Sequence, residues 1–487
     1  MTDTFQAGDI TLHRVGEYVW EIPQEEGMNV PARVLASEPL LEEIADDKTL
    51  EQLKNTTHLP GIQKYAICMP DGHQGYGFPV GGVAGIDAEN GCISPGAVGY
   101  DVNCGVRMIK TNLQYEDIEG REEELVDALF DAIPTGLGGG GVVEGDQHTI
   151  EQVLARGMDW ALEHGWAVED DLLHCEDEGM REDADPSAIS KKAKDRGRNQ
   201  LGSLGSGNHF LEVQRVTDVF LEDVGETYGL AEDQIVVLIH CGSRGLGHQT
   251  CNDYLRKIEQ THKGLLDQLP DRELAAAPAG SQLAEQYYGA MCAAINFAWV
   301  NRQLIMHRTR QVFEEVFDRP WQEMEMDLLY DVSHNIAKKE LHDVNGEERE
   351  LFVHRKGATR AFPAGHPEVP KAYRDVGQPI IIPGSMGAGS YVLRGGKDSM
   401  NLTFGSTAHG AGRLMSRTQA KQEFWGEDVQ DELRETNKVY VKASSGATIA
   451  EEAPGVYKDV DEVVRVSDAL GIGDKVARVY PVCNIKG

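Results

Sequence analysis

The sequence predicts an α+β fold, and three observations carry that reading. Short β-branched runs mix with helical stretches without a regular βαβ alternation, so no doubly wound sheet is called for. One long stretch carries helical periodicity. Residue types that ligate metals recur from Asp71 to His409 with no Ser/Gly-rich or Pro-rich linker between them. One large catalytic domain with insertions, spanning 1–487, is therefore expected in place of separable modules.

The elements follow in order. IQKYAICM (62–69), QIVVLIHC (Gln234–Cys241) and QPIIIPG (378–384) are short apolar runs that read as buried strands. The second ends at His240 and passes into a Gly-Ser-Arg-Gly turn, which sets a ligand-type residue at a strand terminus. GLGGGG (136–141) follows no strong strand and reads as a flexible loop; no Walker A sequence or well-placed GxGxxG is present. Within a helical segment of about 253–318, Leu283, Tyr287, Met291 and Ile295 recur at i, i+4, which marks one apolar face of a scaffold helix over Gln282–Phe317. Another helix is expected after Arg413, with His409-Gly-Ala-Gly just before its N-terminus.

Composition narrows the function. Lys and Arg number 46 against 80 Asp and Glu, a net charge of −34, an unexpected sign for an enzyme of nucleic acids. The plain reading is an acidic soluble protein; the sharper expectation is adaptation to a cytoplasm of molar salt, where the Debye length falls to ~3 Å and self-repulsion is screened (a halophilic adaptation). Nine acidic residues against the single Arg181 fall between 169 and 185, inside an acidic insertion of about 166–186 that reads as a solvated loop or helix face. Two basic islands interrupt the acid: Lys191, Lys192, Lys194, Arg196 and Arg198, then Arg355, Lys356, Arg360, Lys371 and Arg374. Their position beside the motifs points to an anionic substrate. No apolar run approaches the ~20 residues of a membrane span, the N-terminus lacks a signal-peptide layout, and eight scattered cysteines fit reduced thiols in a cytoplasm.

The chemistry lies in the motifs. GAVGYDVNCGVR (96–107) spaces Asp101 and Cys104 so that a carboxylate and a thiolate converge on one cation, and a thiolate can bridge two. His209 in GSGNHFLE, His240 in HCGSRG and His334 in DVSHN offer imidazoles. A lone histidine is more often a core residue, but three in one Gly/Ser/Asn setting form a ligand set suited to zinc, manganese or iron. Asn208 and Glu212 flank His209, to orient it or to hold a nucleotide. Backbone N–H groups of HGAGR, ahead of the expected helix, can cradle phosphate, and His409 there, with Arg413 close by, suits a nucleophile toward phosphorus, a further metal ligand or a substrate clamp. PGSMGAGS (383–390) is a second phosphate-loop candidate, with Ser385 and Ser390 as donors.

Taken with DGHQGYGFPVGG (71–82), HRKGATRAFPAG (354–365) and a terminal NIKG, these motifs closely resemble the RtcB family of RNA-splicing ligases, in the same order and over nearly the whole chain. Ala97 stands where many members have Gly, and the acidic loop is extra. The resemblance implies mixed β-sheets around a deep dimetal cleft, flanked by helices and a long helical insertion. It implies a GTP- and Mn2+-dependent ligase joining RNA 3′-phosphate or 2′,3′-cyclic phosphate ends to 5′-hydroxyls in tRNA splicing and RNA repair. By the same carry-over, Cys104 bridges two Mn2+ ions, one completed by Asp101 and His209 and the other by His240 and His334. His409 is the guanylylated nucleophile, and Asp71 orients it or assists with metal and substrate. The guanylate pocket takes Asn208, His209, Phe210, Leu211, Glu212, His334, Asn335, Pro383, Gly384, Ser385, Met386, Ser390, Gly410, Ala411, Gly412, Tyr457 and Lys486. Cleaved tRNA halves, GTP and an archease-type activating protein are the implied partners, with no membrane and a cytoplasmic location. A dimetal phosphoesterase and a non-catalytic RNA-binding scaffold are the rival readings.

Overall fold

The computed structural model describes residues 3–136 and 140–487; residues 137–139 of the glycine-rich loop lie outside the described residues. Among the described residues most strands gather into two eight-stranded sheets, nearly all antiparallel. The mixture of sheets and helices is α+β, as the irregular alternation requires.

The first sheet runs from the N-terminal strands through Ala66–His73 and Val80–Asp87 to the hairpin Asn335–Val344 and Glu347–Lys356. The second sets Asp327–Ser333, Gly105–Gln114, Gln234–Cys241, Phe210–Val219 and Gly473–Lys486 side by side. Register decides what this second sheet can do. Ser333 pairs with Gly105, Gly105 with Cys241, His240 with Phe210, and Phe210 with Lys486. The residues next to these, Cys104, His209 and His334, are thereby lined up along one sheet end. The chain then leaves Ser333, passes His334 and enters the first sheet at Asn335. His334 thus sits where the two sheets meet.

The predicted strand at 62–69 is found at Ala66–His73. It runs past Pro70 because the pairing with Val80–Asp87 breaks register between Cys68 and His73. An irregularity of that kind re-aims side chains, and Asp71 lies inside it. Gln234–Cys241 forms as expected, and 378–384 narrows to Pro379–Ile382.

The helix Gln282–Phe317 has the predicted ends, but its packing corrects the single-face expectation. From Tyr287 to Met306 every side chain is buried, so the helix is a central pillar buried all round, with one apolar cluster on its stretch up to Leu304 and a second from Ile305 to Phe313. Its buried polar residues have partners: Arg302 donates to both carboxylate oxygens of Asp331 at 2.8 Å and to the carbonyls of Asn103 and Cys241 at 2.8 Å.

The acidic insertion also departs from expectation. Asp171 and Glu176 are buried, each against a cation: Asp171 with Arg310 at 2.8 Å and Glu176 with Lys338 at 2.5 Å. Arg360 lies between Asp177 and Glu368, and Arg355 is buried on Glu340. Charges this deep persist only when paired. Part of the acid, and two members of the second basic island, therefore belong to the interior and do not face a substrate.

Candidate active site

The site grows from the turn between Tyr100 and Gly105. Cys104 N–H donates to Asp101 O at 2.9 Å, closing the turn that brings carboxylate and thiolate together. Asn103 adopts a left-handed φ of 53°, a conformation asparagine tolerates better than most residues. Its side chain donates to Ile295 O at 3.0 Å and accepts from Arg302 at 3.2 Å. Gly242 lies against the other side, where a Cβ would stand 2.4 Å from the Asp101 carboxylate oxygens.

Around this turn the predicted donors converge. His209 Nε2 lies 2.8 Å from Asp101 Oδ2 and 3.4 Å from Cys104 Sγ. His240 Nε2 is 3.4 Å from Cys104 Sγ and 3.3 Å from His334 Nε2. Two groups result, Asp101-Cys104-His209 and Cys104-His240-His334, each with donor atoms within 4.8 Å of one another, and Cys104 belongs to both. His209 Nδ1 lies 3.1 Å from the Leu204 carbonyl, which directs Nε2 inward.

Electrostatics agree with cation binding. Burial pushes the Cys104 thiol up to about 11, so a cation, not water, would hold the thiolate there. Burial and neighbouring histidines push His240 and His334 far below the usual imidazole range, leaving neutral donors. Burial opposes ionisation of Asp101 too, but the charge and hydrogen bond of His209, with His248 and Arg244, outweigh it and hold the carboxyl well below its ordinary range. Burial is likewise outweighed at His209, which its anionic neighbours push up, so a cation bound there displaces the Nε2 proton. The donor set fits two divalent ions of borderline softness.

His409 follows the short strand Ser406–Ala408. Its Nδ1 is 2.6 Å from Asp71 Oδ2, and its ring centroid is 4.9 Å from that of His334. Asp71 is fully buried. Burial would raise its carboxyl, but the charge and hydrogen bonds of His409 hold it below the ordinary range. His409 N–H and Gly410 N–H donate to the same Oδ2 at 3.0 and 3.2 Å. Gly412 packs on Asp71, where a Cβ would lie 2.3 Å from its carbonyl oxygen.

These bonds correct the phosphate-cradle expectation at HGAGR. The helix after Arg413 starts only at Arg417, capped by Ser416, and two of the backbone donors already serve Asp71. Asn208, Phe210, Asn335, Pro383, Gly384, Gly410, Ala411, Gly412 and Tyr457 line one cleft with Asp101, Cys104, His240, His334 and His409, while His209 stands behind Asp101 and Cys104. Leu211 and Met386 do not: their side chains lie in apolar clusters, Leu211 because it alternates with Phe210 and Glu212 along the strand. Ser390 Oγ accepts from Gly384 N at 3.0 Å and Gln214 Nε2 at 3.2 Å, which leaves its proton to donate. Ser385 is buried in the same loop. Glu212 is buried, accepts from Gln214 and Asn484, and is pushed up to about 7, chiefly by burial.

Lys486 ends a strand and is buried, its Nζ 5.4 Å from the Phe210 ring centre. Its partner is a residue that sequence reasoning missed. Glu452, fully buried, meets Arg413 at 3.0 Å, Arg417 at 3.5 Å, Lys486 at 3.6 Å and the Tyr457 hydroxyl. Nothing in the EEAP around it signals such a hub. Arg302, behind the metal donors, was equally silent inside its helix.

A family model described as tRNA-splicing ligase RtcB matches residues 52–487. A tRNA-splicing ligase RtcB from Thermococcus kodakarensis is 54% identical over 98% of this chain and 99% of its own length. Proteins of the same description from Aeropyrum pernix and Archaeoglobus fulgidus are 51% and 49% identical, each over 98% of this chain and at least 99% of their own.

Proposed function

The chain belongs to the tRNA-splicing ligase RtcB family, and from that premise we propose that it is an RNA ligase of tRNA splicing. It joins an RNA 3′-phosphate or 2′,3′-cyclic phosphate to a 5′-hydroxyl, with GTP as co-substrate and Mn2+ in both donor groups. One observation carries the reading: a histidine held by a buried carboxylate opens on the same cleft as two cation sites that share a cysteine.

Asp71 accepts the Nδ1 proton of His409 and leaves the Nε2 lone pair free. That nitrogen attacks the α-phosphorus of GTP; a P–N bond forms and pyrophosphate departs. A nucleophilic histidine splits one difficult transfer into easier ones. The guanylate passes to the RNA 3′-phosphate, and the 5′-hydroxyl then displaces GMP. A cyclic phosphate is first opened by water. Asp101, Cys104 and His209 would hold one ion and Cys104, His240 and His334 the other, and bound ions offset the charge that triphosphate and RNA bring together. Phe210 and Tyr457 border the nucleotide, while Asn208, Glu212, Asn335, Ser385, Ser390 and Lys486 supply its polar contacts.

On the family resemblance we place the enzyme in the cytoplasm with cleaved tRNA halves as substrates and an archease-type activator. Among the described residues no helix is long and apolar enough to cross a membrane. The ligase reading predicts that GTP and Mn2+ seal a 3′-phosphate RNA to a 5′-hydroxyl RNA. Removal of the phosphate without sealing would favour a dimetal phosphoesterase. The charge of −34 we attribute to life in molar salt, where self-repulsion is screened. Circular dichroism should then show loss of structure in dilute buffer, and a fold indifferent to salt would refute the attribution.

A further inference from the structure

Asp71 orients two histidines. Its carboxylate holds His409 Nδ1, and its main-chain carbonyl lies 3.0 Å from His73 Nδ1. A carbonyl can only accept, so His73 carries its proton on Nδ1 and keeps a lone pair on Nε2. His73 lines the cleft, its ring 26° from parallel with that of His409 and 6.5 Å away between centroids. Among the described residues Nε2 of His73 has no hydrogen-bond partner.

Several other polar groups of the cleft are committed elsewhere. The cation sites take Asp101, Cys104, His240 and His334. Lys356 Nζ donates to three carbonyls, those of Tyr76, Phe78 and Gly96. Arg413 is held by Glu452.

The proposed reaction has unequal demands for a base. Attack by His409 transfers no proton from a substrate hydroxyl, because Asp71 already accepts the ring proton. Attack by the RNA 5′-hydroxyl does release one, and no residue assigned so far receives it. We propose that His73 is the catalytic base of the sealing step, its Nε2 taking the proton of the RNA 5′-hydroxyl as that oxygen attacks the guanylylated 3′-phosphate. The O5′–P bond forms, the P–O bond to GMP breaks, GMP leaves with the electron pair, and the proton passes from His73 to solvent. Burial, above all, holds His73 near a pKa of about 4, so the ring enters the step neutral. The phosphates that arrive with the RNA raise its basicity by their charge. This inference rests on the ligase reading above.

His73→Asn tests it in the full-length protein with Mn2+, because the amide nitrogen can still donate to the Asp71 carbonyl while Nε2 is removed. Two rates are read: labelling of the protein by α-labelled GTP, and sealing of an RNA already guanylylated at its 3′-phosphate. Labelling should stay within about threefold of wild type and sealing should fall by about 100-fold or more, the usual contribution of a general base. Added imidazole, a free base of the type removed, should restore part of the lost sealing rate and leave labelling unaltered. Sealing that persists, labelling lost in equal proportion, or no rescue by imidazole would each overturn the proposal. A wild-type protein that neither labels nor seals would instead refute the ligase reading beneath it.

Discussion

The two walls of the cleft are built on opposite principles. On the metal wall, Cys104, His209, His240 and His334 stand at the ends of neighbouring strands, placed by ladder register and buttressed by Arg302. Their donor atoms converge on two points suited to cations. On the nucleotide wall the charged groups hold one another: Asp71 with His409, and Glu452 with Arg413, Arg417 and Lys486. One wall keeps donors for ions, whereas the carboxylates of the other are already partnered within the protein before any ligand arrives. Loss of a donor on the first should empty it, and loss of a carboxylate on the second should disorder it while leaving the metals in place.

The largest effect should come from Cys104→Ala. Sharing of Cys104 predicts that both ions are lost together and that sealing falls by about 1,000-fold or more, since bound cations supply several kcal/mol of charge stabilisation. Metal analysis that finds one ion fully retained would break the sharing.

Asp71→Asn probes the opposite wall. The amide oxygen must take the place of Oδ2, where three N–H groups donate, so the ring keeps its tautomer but loses the negative charge that offsets the cation developing on His409 as Nε2 bonds to phosphorus. Guanylylation should drop about 100-fold or more with metal content unchanged, as single-turnover labelling beside metal analysis would show. Metal loss in this variant would erase the distinction between the walls.

Glu452→Gln should be milder in catalysis and plainer in stability. Removing one partner of a buried ion pair costs about 3–5 kcal/mol, which denaturant melts would register. The KM for GTP should rise about tenfold as Lys486 and Arg413 lose their anchor, with both metals kept; an unaltered KM would mean that Glu452 serves the fold alone.

The smallest effect is a pH dependence. Burial lifts Glu212 from an ordinary 4.5 to about 7. In that window the folded state binds a proton that the unfolded state does not, so this group's contribution to stability falls as pH rises from about 4.5 to 7. Its power to accept hydrogen bonds from a guanine edge grows over the upper part of the same range. Labelling by GTP should therefore rise a few-fold through pH 7, and Glu212→Gln should flatten the rise.

The walls also differ in how far the sequence revealed them. Each metal donor announced itself by residue type and by a strand end or tight turn nearby, and the family motifs supplied the pairing. Lys486 needed the resemblance, because a penultimate lysine carries no local signal. Glu452 had neither motif nor pattern; its role exists only because Arg413, Tyr457 and Lys486 fold onto it. The acid around Glu176 looked solvated for the same reason, since Lys338 and Arg360 reach it from distant strands. Tertiary charge pairing is invisible to local pattern, whereas strand registry and ligand chemistry are not.

Everything assigned to the cleft depends on His409 acting as a nucleophile between these walls. Incubation with α-labelled GTP and Mn2+, followed by mapping of the labelled peptide, tests this most directly. The account predicts one guanylate per chain on His409, absent from His409→Ala, which still binds both ions. Label that persists in His409→Ala, or a wild-type protein that never retains label, would contradict it.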